Sequence, residues 1–287
     1  MLRQAQHDIA NTDCFDTQLI SVMFTSVMLS PSKHLKFNKK INLLKMKKLT
    51  ALFLFLSVLI FAQKQTLFLI GDSTMANKEN PDKNPEHGWG QVLPEFLTGI
   101  EIQNHAMNGR SSKSFRTEGR WDKVEKQLKK GDFVIIQFGH NDQKVKDSTK
   151  FTNPYTQYRA NLERYVNETR AKGATPILMT SIVRRNFTEN GVLLDTHKEY
   201  PLVVRMVAND LKVPFVDLQL LTEQMEIAYG PENSKKLHLH YKEGEDPYYP
   251  KGKDDDTHLS KLGAESVAKL ALKDLKGLKI GLEKYIK

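Results

Sequence analysis

A three-layer α/β/α sandwich, built on a five-stranded parallel sheet, is predicted by three features of the sequence. Short apolar runs alternate with amphipathic segments from residue 66 to the end; the runs are almost unbroken Val, Ile, Leu and Phe; and small polar clusters follow them. Unbroken apolar runs read as strands buried on both faces. Strand, helix and strand in repeated succession reads as parallel strands joined by right-handed crossovers.

The amino-terminal part differs from the rest. From Met46 the chain reads MKKLTALFLFLSVLIFAQ, a basic start followed by an apolar run of 13 residues, Leu49 to Phe61, and then Ala62. This is the pattern of a secretory signal peptide at 46–62, too short for the roughly 20 residues that a permanent membrane anchor needs. Cleavage is expected near Ala62, although Ile60 is larger than the residue preferred three positions before a cleavage site. Residues 1–45 stand in front of an export sequence that normally comes first, and are expected to be an upstream extension outside the fold, with Met46 as the true start. The fold is then expected over 63–287, in the periplasm or outside the cell.

The formal charge of the whole chain is +9, which would suit a nucleic-acid partner. Residues 1–62 hold eight of the 43 basic and three of the 34 acidic side chains, so the remainder carries only +4. Such a balance announces no concentrated basic face, and nucleic acid is not expected as a partner. The single cysteine, Cys14, lies in the discarded part, so neither disulfides nor thiolate chemistry is expected in the mature chain.

The strands are expected at Thr66–Ile70, Ile100–Ala106, Phe133–Phe138, Thr175–Ser181 and Pro214–Leu218, with helical spacing around 89–97, 120–130, 155–172 and 199–211. Tyr155, Tyr158, Leu162, Tyr165, Val166 and Thr169 form a stripe at offsets of three and four. A last helix is capped by Ser260 and turns Leu262, Val267, Leu270, Ala271 and Leu275 inward. Two long irregular loops, 184–200 and 238–258, complete the chain, and loops of that length are often functional.

In an open parallel sheet, ligands bind beyond the carboxyl ends of the strands. There the chain places GDST with Ser73, HAMNGRSSKS with Gly109 and FGHND with Asn141, while DDDTH brings Asp255 and His258 just before the last helix. A serine hydroxyl needs an imidazole to take its proton, and the imidazole needs a carboxylate to hold its tautomer. Ser73, His258 and Asp255 supply that set, Asp255 lying three positions before His258 so that a turn returns its carboxylate to the ring. The backbone N–H groups of Ser73 and Gly109 and the Asn141 amide supply donors for an oxyanion. Singly, each cluster also reads as a helix cap, a tight turn or a solvated loop. Their succession at strand ends is what joins them.

This succession resembles the SGNH, or GDSL-like, hydrolase superfamily, whose blocks carry Ser, Gly, Asn and His, matched here by Ser73, Gly109, Asn141 and His258. GDSTMA, NGRSSKSF, EGRWDKV, FGHND and DDTHLSKLGA are similar to the rhamnogalacturonan acetylesterases. The resemblance implies a flavodoxin-like fold, serine esterase chemistry without a metal or other cofactor, and removal of acetyl groups from pectic polysaccharide. It also implies Asp255 in place of Asp256 as the third member of the triad, from the Asp-x-x-His pattern. No Gly-x-Ser-x-Gly elbow, Walker loop or His-Glu-x-x-His helix is present.

Further substrate contacts are expected from Arg110, His140, His238, His240, Tyr248 and Tyr249; His238 and His240 have no third ligand at metal spacing. Arg110, Lys113, Arg116, Arg120, Lys251 and Lys253 either line a cleft for a polyanion or form a solvated basic face. Trp89 and Trp121 can stack on sugars, with Trp89 read first as a packing residue. Two other readings remain open: a hydrolase of other acyl esters, or a carbohydrate-binding protein that has lost catalysis. Oligomeric state and the choice between hydrolysis and transfer to an acceptor are not legible.

Overall fold

A computed structural model describes residues 64–287, which form one of the two units of the chain. The expected extension at 1–45 and signal peptide at 46–62 lie outside the described residues. Among the described residues eight strands occur in chain order: β1 (Thr66–Gly71), β2 (Glu86–His87), β3 (Glu101–Asn104), β4 (Phe133–Gln137), β5 (Thr175–Met179), β6 (Phe215–Val216), β7 (His238–Tyr241) and β8 (Lys253–Ser260). The helices are α1 (Trp89–Val92), α2 (Ser112–Thr117), α3 (Arg120–Glu125), α4 (Arg159–Ala171), α5 (Tyr200–Asp210), α6 (Leu218–Asn233) and α7 (Lys261–Leu278).

The five expected strands pair, all parallel, in the order β3-β1-β4-β5-β6. This is the flavodoxin-like order, and the expected fold class holds. The chain leaves β1 to one side for β3 and returns to its other side for β4, so the β1/β4 boundary is the switch point where such folds open a crevice.

Alternate residues of β1 feed two cores. Leu67 and Leu69 pack with Trp89 of α1 and Val267, Ala271 and Leu275 of α7 on one face. Phe68 and Ile70 pack with Phe115, Trp121, Leu162, Tyr165 and Val204 on the other. Each such buried side chain contributes roughly 1.5–3 kcal/mol of transfer free energy, which is why one strand can hold two helical layers.

Three sequence expectations are corrected. The 238–258 stretch is a β-hairpin, and with β2 it makes a second, antiparallel sheet in the order β2-β8-β7. Its run KDDDTH carries no strand-like alternation; Lys253, Asp254 and Asp255 are extended because β7 pairs with them, while β2 pairs further on, with Leu259 and Ser260. Helix α6 was not expected, because its buried face is formed by Leu218, Gln219, Thr222 and Glu226 and three of these four are polar, so hydrophobic periodicity misses it. Tyr155 and Leu262 are exposed, unlike the rest of their stripes. Tyr155 sits in the π-turn Pro154–Tyr158 that precedes α4, and Leu262 in the first turn of α7, before each helix settles on the sheet. Ser260 does cap α7, accepting from Gly263 N–H at 3.1 Å.

Candidate active site

Ser73 emerges directly from β1. Asp72 accepts from the Thr74 amide at 3.0 Å and the Thr74 hydroxyl at 2.9 Å, closing a turn that lifts Ser73 beyond the sheet. Asp72 is fully buried, and that burial pushes its pKa up against the hydrogen bonds from Thr74 and the nearby charges of His258 and Arg184. Lys78, also buried, points its ammonium at the Ser73 carbonyl at 2.5 Å, at Asn108 Oδ1 at 2.9 Å and at Glu86 Oε1 at 2.7 Å. One cation therefore ties the serine turn to the Asn108–Gly109 turn and to β2.

The second cluster is laid alongside the first by the sheet: the Met107 amide donates to the Gly71 carbonyl at 3.0 Å. The turn that follows is closed by Arg110 N–H to the Met107 carbonyl at 3.2 Å, with Gly109 at φ +75°, a conformation that a side chain would strain. The third cluster is bound to the second. Asn141 donates through Nδ2 to the Arg110 carbonyl at 3.1 Å, and Asp142 receives the Ser112 amide at 3.0 Å and the Ser112 hydroxyl at 2.5 Å. Gly139, at φ +150°, lets this loop close on Ser181, whose hydroxyl would lie 2.4 Å from an added Cβ. Asp142 is pushed up to about 7 by burial, against hydrogen bonds from Ser112 and Thr152, with the Asp72 charge adding to the rise.

The fourth cluster arrives from the antiparallel sheet. His258 Nε2 lies 2.9 Å from Ser73 Oγ, and His258 Nδ1 lies 2.9 Å from Asp255 Oδ2. Asp255 Oδ1 accepts the amides of Thr257 at 2.9 Å and His258 at 3.0 Å, so the carboxylate holds the backbone and ring of the same histidine. Burial alone would raise the Asp255 pKa; the His258 ring and amide, the His258 charge and the Thr257 amide outweigh it and hold the carboxyl well below the usual range. A hydroxyl, an imidazole and an ionised carboxylate thus stand in hydrogen-bonded series at the switch point. Such a series can move a proton off the hydroxyl and stabilise the resulting imidazolium.

Residues 69–265 match the GDSL-like lipase/acylhydrolase family. The chain belongs to that family. A rhamnogalacturonan acetylesterase, RhgT of Bacillus subtilis strain 168, is 40% identical over 221 residues, covering 77% of this chain and 93% of the relative. A second protein of that strain, YesY, described as a probable rhamnogalacturonan acetylesterase, is 33% identical, covering 77% and 96%. Among solved structures, Bacillus subtilis YxiM superposes with a TM-score of 0.64 at 28% identity, covering 77% of this chain and 58% of that one. An Axe2 variant from Geobacillus, described as an acetyl-xylooligosaccharide esterase, superposes with a TM-score of 0.51 at 22% identity, covering 74% and 94%, which shows shared fold.

In this GDSL-like chain the remaining expected site residues divide. Arg110 is engaged by Glu118 at 3.0 Å and by the Asn108 carbonyl at 2.7 Å. Arg116 is paired with Glu168 at 2.8 Å, Arg120 with Glu118 at 2.6 Å, and Lys113 donates to the Ser148 carbonyl at 2.7 Å. These contacts favour the structural reading of the basic run. His140 is turned inward, its Nδ1 2.9 Å from His197 Nε2, and burial together with the His197 and Arg184 charges lowers its pKa well below the usual imidazole value. His238 is buried too, while His240 lies between Asp254 at 2.6 Å and Asp256 at 2.9 Å. Both tryptophans are fully buried, Trp89 donating to Gln137 and Trp121 to Glu168. Tyr248 and Tyr249 stand in the connection between β7 and β8, Tyr248 exposed and set edge-on to Tyr249. Lys253 lies beneath, 5.9 Å from the Tyr249 ring centroid. Sequence reasoning missed Lys78, Glu86, Asn108 and Glu226, since a charge destined for a buried partner looks like any surface charge until the chain folds.

Proposed function

We propose that this protein is an exported serine esterase that removes acetyl groups from plant cell-wall polysaccharide, rhamnogalacturonan in the first place. The observation that carries the reading is the unbroken series from Ser73 Oγ through His258 to Asp255, with 2.9 Å at each step. Ser73 Oγ attacks the acetyl carbonyl while His258 Nε2 takes its proton. The negative charge that gathers on the carbonyl oxygen is met by the N–H groups of Ser73 and Gly109 and by the Asn141 amide, which the Arg110 carbonyl holds in orientation. His258 returns the proton to the departing sugar oxygen, leaving acetyl on Ser73. Water, deprotonated by the same imidazole, then releases acetate. Asp255 stays ionised throughout and stabilises the imidazolium.

The substrate class is supported by the rhamnogalacturonan acetylesterase at 40% identity and by the aromatic tip of the β7–β8 hairpin. Tyr248 lines a cavity of about 360 Å³ with Lys83, Asp246 and Pro247, giving a sugar face and a cation side by side. Export is supported by the signal-like pattern at 46–62.

The test is acetate release by the purified protein and its Ser73→Ala variant from acetylated rhamnogalacturonan, acetylated xylan and an aryl acetate. Serine-dependent release chiefly from the pectic substrate is expected. Serine-dependent cleavage of the aryl acetate alone would overturn the substrate, and undiminished cleavage by Ser73→Ala would overturn the mechanism.

A further inference from the structure

A second carboxylate and histidine stand behind the first pair. His238 Nε2 lies 2.7 Å from Glu226 Oε1, and His238 Nδ1 lies 3.1 Å from the backbone carbonyl of His258. Their side chains are 1% and 2% exposed, so these contacts are shielded from bulk solvent. The carbonyl can only accept, hence Nδ1 carries a hydrogen and donates it there.

The strand register shows why that N–H is needed. His238 pairs with Leu259, yet the next residue, Leu239, pairs with Asp255. Asp256, Thr257 and His258 therefore have no cross-strand partners in β7. This three-residue bulge is what lets Asp255 fold back on His258, and it also strips the bulged peptides of ladder bonds. Two of their carbonyls are recovered from outside the ladder. Asp256 accepts from the Arg185 amide at 2.9 Å, and His258 accepts from the His238 side chain. Glu226, on the buried polar face of α6, fixes the ring that makes the second bond.

We propose that His238 and Glu226 form a positioning pair for His258: the His238 Nδ1–H replaces a missing ladder donor and holds the His258 peptide so that Nε2 stays on Ser73. The inference rests on the serine-esterase reading above. It assigns His238 a role in the interior, where its occupied nitrogens leave no hydrogen for a sugar.

Asparagine and glutamine separate the two sides of the ring, because the Asn amide reaches about as far as Nδ1 and the Gln amide about as far as Nε2. With Glu226→Gln as the common background, which leaves no carboxylate unpaired, His238→Asn and His238→Leu are compared on an aryl acetate beside the Ser73→Ala control. The leucine variant is expected to lose at least about tenfold in kcat with KM changed less than threefold, and the asparagine variant to recover to within about threefold of the Glu226→Gln single variant. Should the leucine variant not fold, His238→Gln takes its place with the same expected loss. Equal kcat for the asparagine variant and the folded leucine or glutamine variant would overturn the positioning role while leaving the esterase reading intact. Hydrolysis that survives Ser73→Ala would overturn both.

Discussion

The Lys253 ammonium lies 3.2 Å from Asp255 Oδ2, the oxygen that also stands 2.9 Å from His258 Nδ1. A cation at that place opposes the positive charge that His258 acquires when it takes the serine proton. Asp72 and Asp255 favour that charge, and Lys253 trims it. Lys253→Met is expected to raise kcat on an aryl acetate modestly, by less than about threefold, because the lysine is more than one-third exposed. Lys253→Arg should keep the wild-type rate. An unchanged kcat in the methionine variant would show that the ammonium is screened from the pair.

Removing the members of the series has larger consequences. Ser73→Ala or His258→Ala should lower turnover at least about a thousandfold, since each breaks the proposed proton path off the hydroxyl. Asn141→Ala should cost about 10²–10³ in kcat, roughly 2.7–4 kcal/mol, through the lost oxyanion donor. Steady-state kinetics on an aryl acetate checks all three, and an Asn141 variant within fivefold of wild type would remove that side chain from the oxyanion site.

Lys78 joins three segments through one buried ammonium, with Glu86 as its charged partner. Lys78→Met should destabilise the fold by roughly 3 kcal/mol, because the carboxylate and the Ser73 carbonyl lose their partner in a poorly solvated place. Urea unfolding measures this directly. A loss below about 1 kcal/mol would mean that Glu86 turns out to water once released.

Asp142 predicts a pH dependence of stability. Below its ordinary value of 3.8 the carboxyl is protonated in both folded and unfolded chains; between there and about 7 the folded chain keeps a proton that the unfolded chain has released. Its contribution is therefore fully present below pH 4 and is lost as pH rises through 7, by about 4 kcal/mol in all. The buried imidazoles of His140 and His197, whose pKa values are lowered by burial, act in the opposite sense over the same interval. The difference between wild type and Asp142→Asn isolates the carboxyl, and urea midpoints at pH 4, 6 and 8 should show it changing in favour of the variant. A constant difference would place Asp142 as an ordinary ionised carboxylate.

Much of the scaffold was legible because its signals are local. Phe133 to Ile136 are apolar without interruption, as a doubly covered strand must be, and the polar residues that follow such runs become the mouth of the crevice. Ser73, Asp255 and His258 are brought together as their types and spacing suggested. The hairpin and α6 were not legible for one shared reason: Lys253–Asp256 and the Gln219, Thr222 and Glu226 face are polar residues stabilised by long-range partners, and no periodicity records a partner. His238 shows the same limit, since a histidine in a loop-like run of charges reads as a substrate contact while the folded chain turns it toward Glu226.

Ser73 and His258 are separated by 185 positions, and among the described residues nothing nearer in the chain stands on the serine hydroxyl as a base. On the proposed mechanism, a chain emerging from synthesis carries its nucleophile early and the base that activates it only near the end. Closing so long a loop costs little in free energy, because the entropy grows with the logarithm of length, but it delays the encounter. The nascent polypeptide is thus chemically silent until the hairpin docks. Recovery of esterase activity after dilution from denaturant consequently works as a clock for that final docking, one that fluorescence from the two buried tryptophans of the main body, Trp89 and Trp121, need not share.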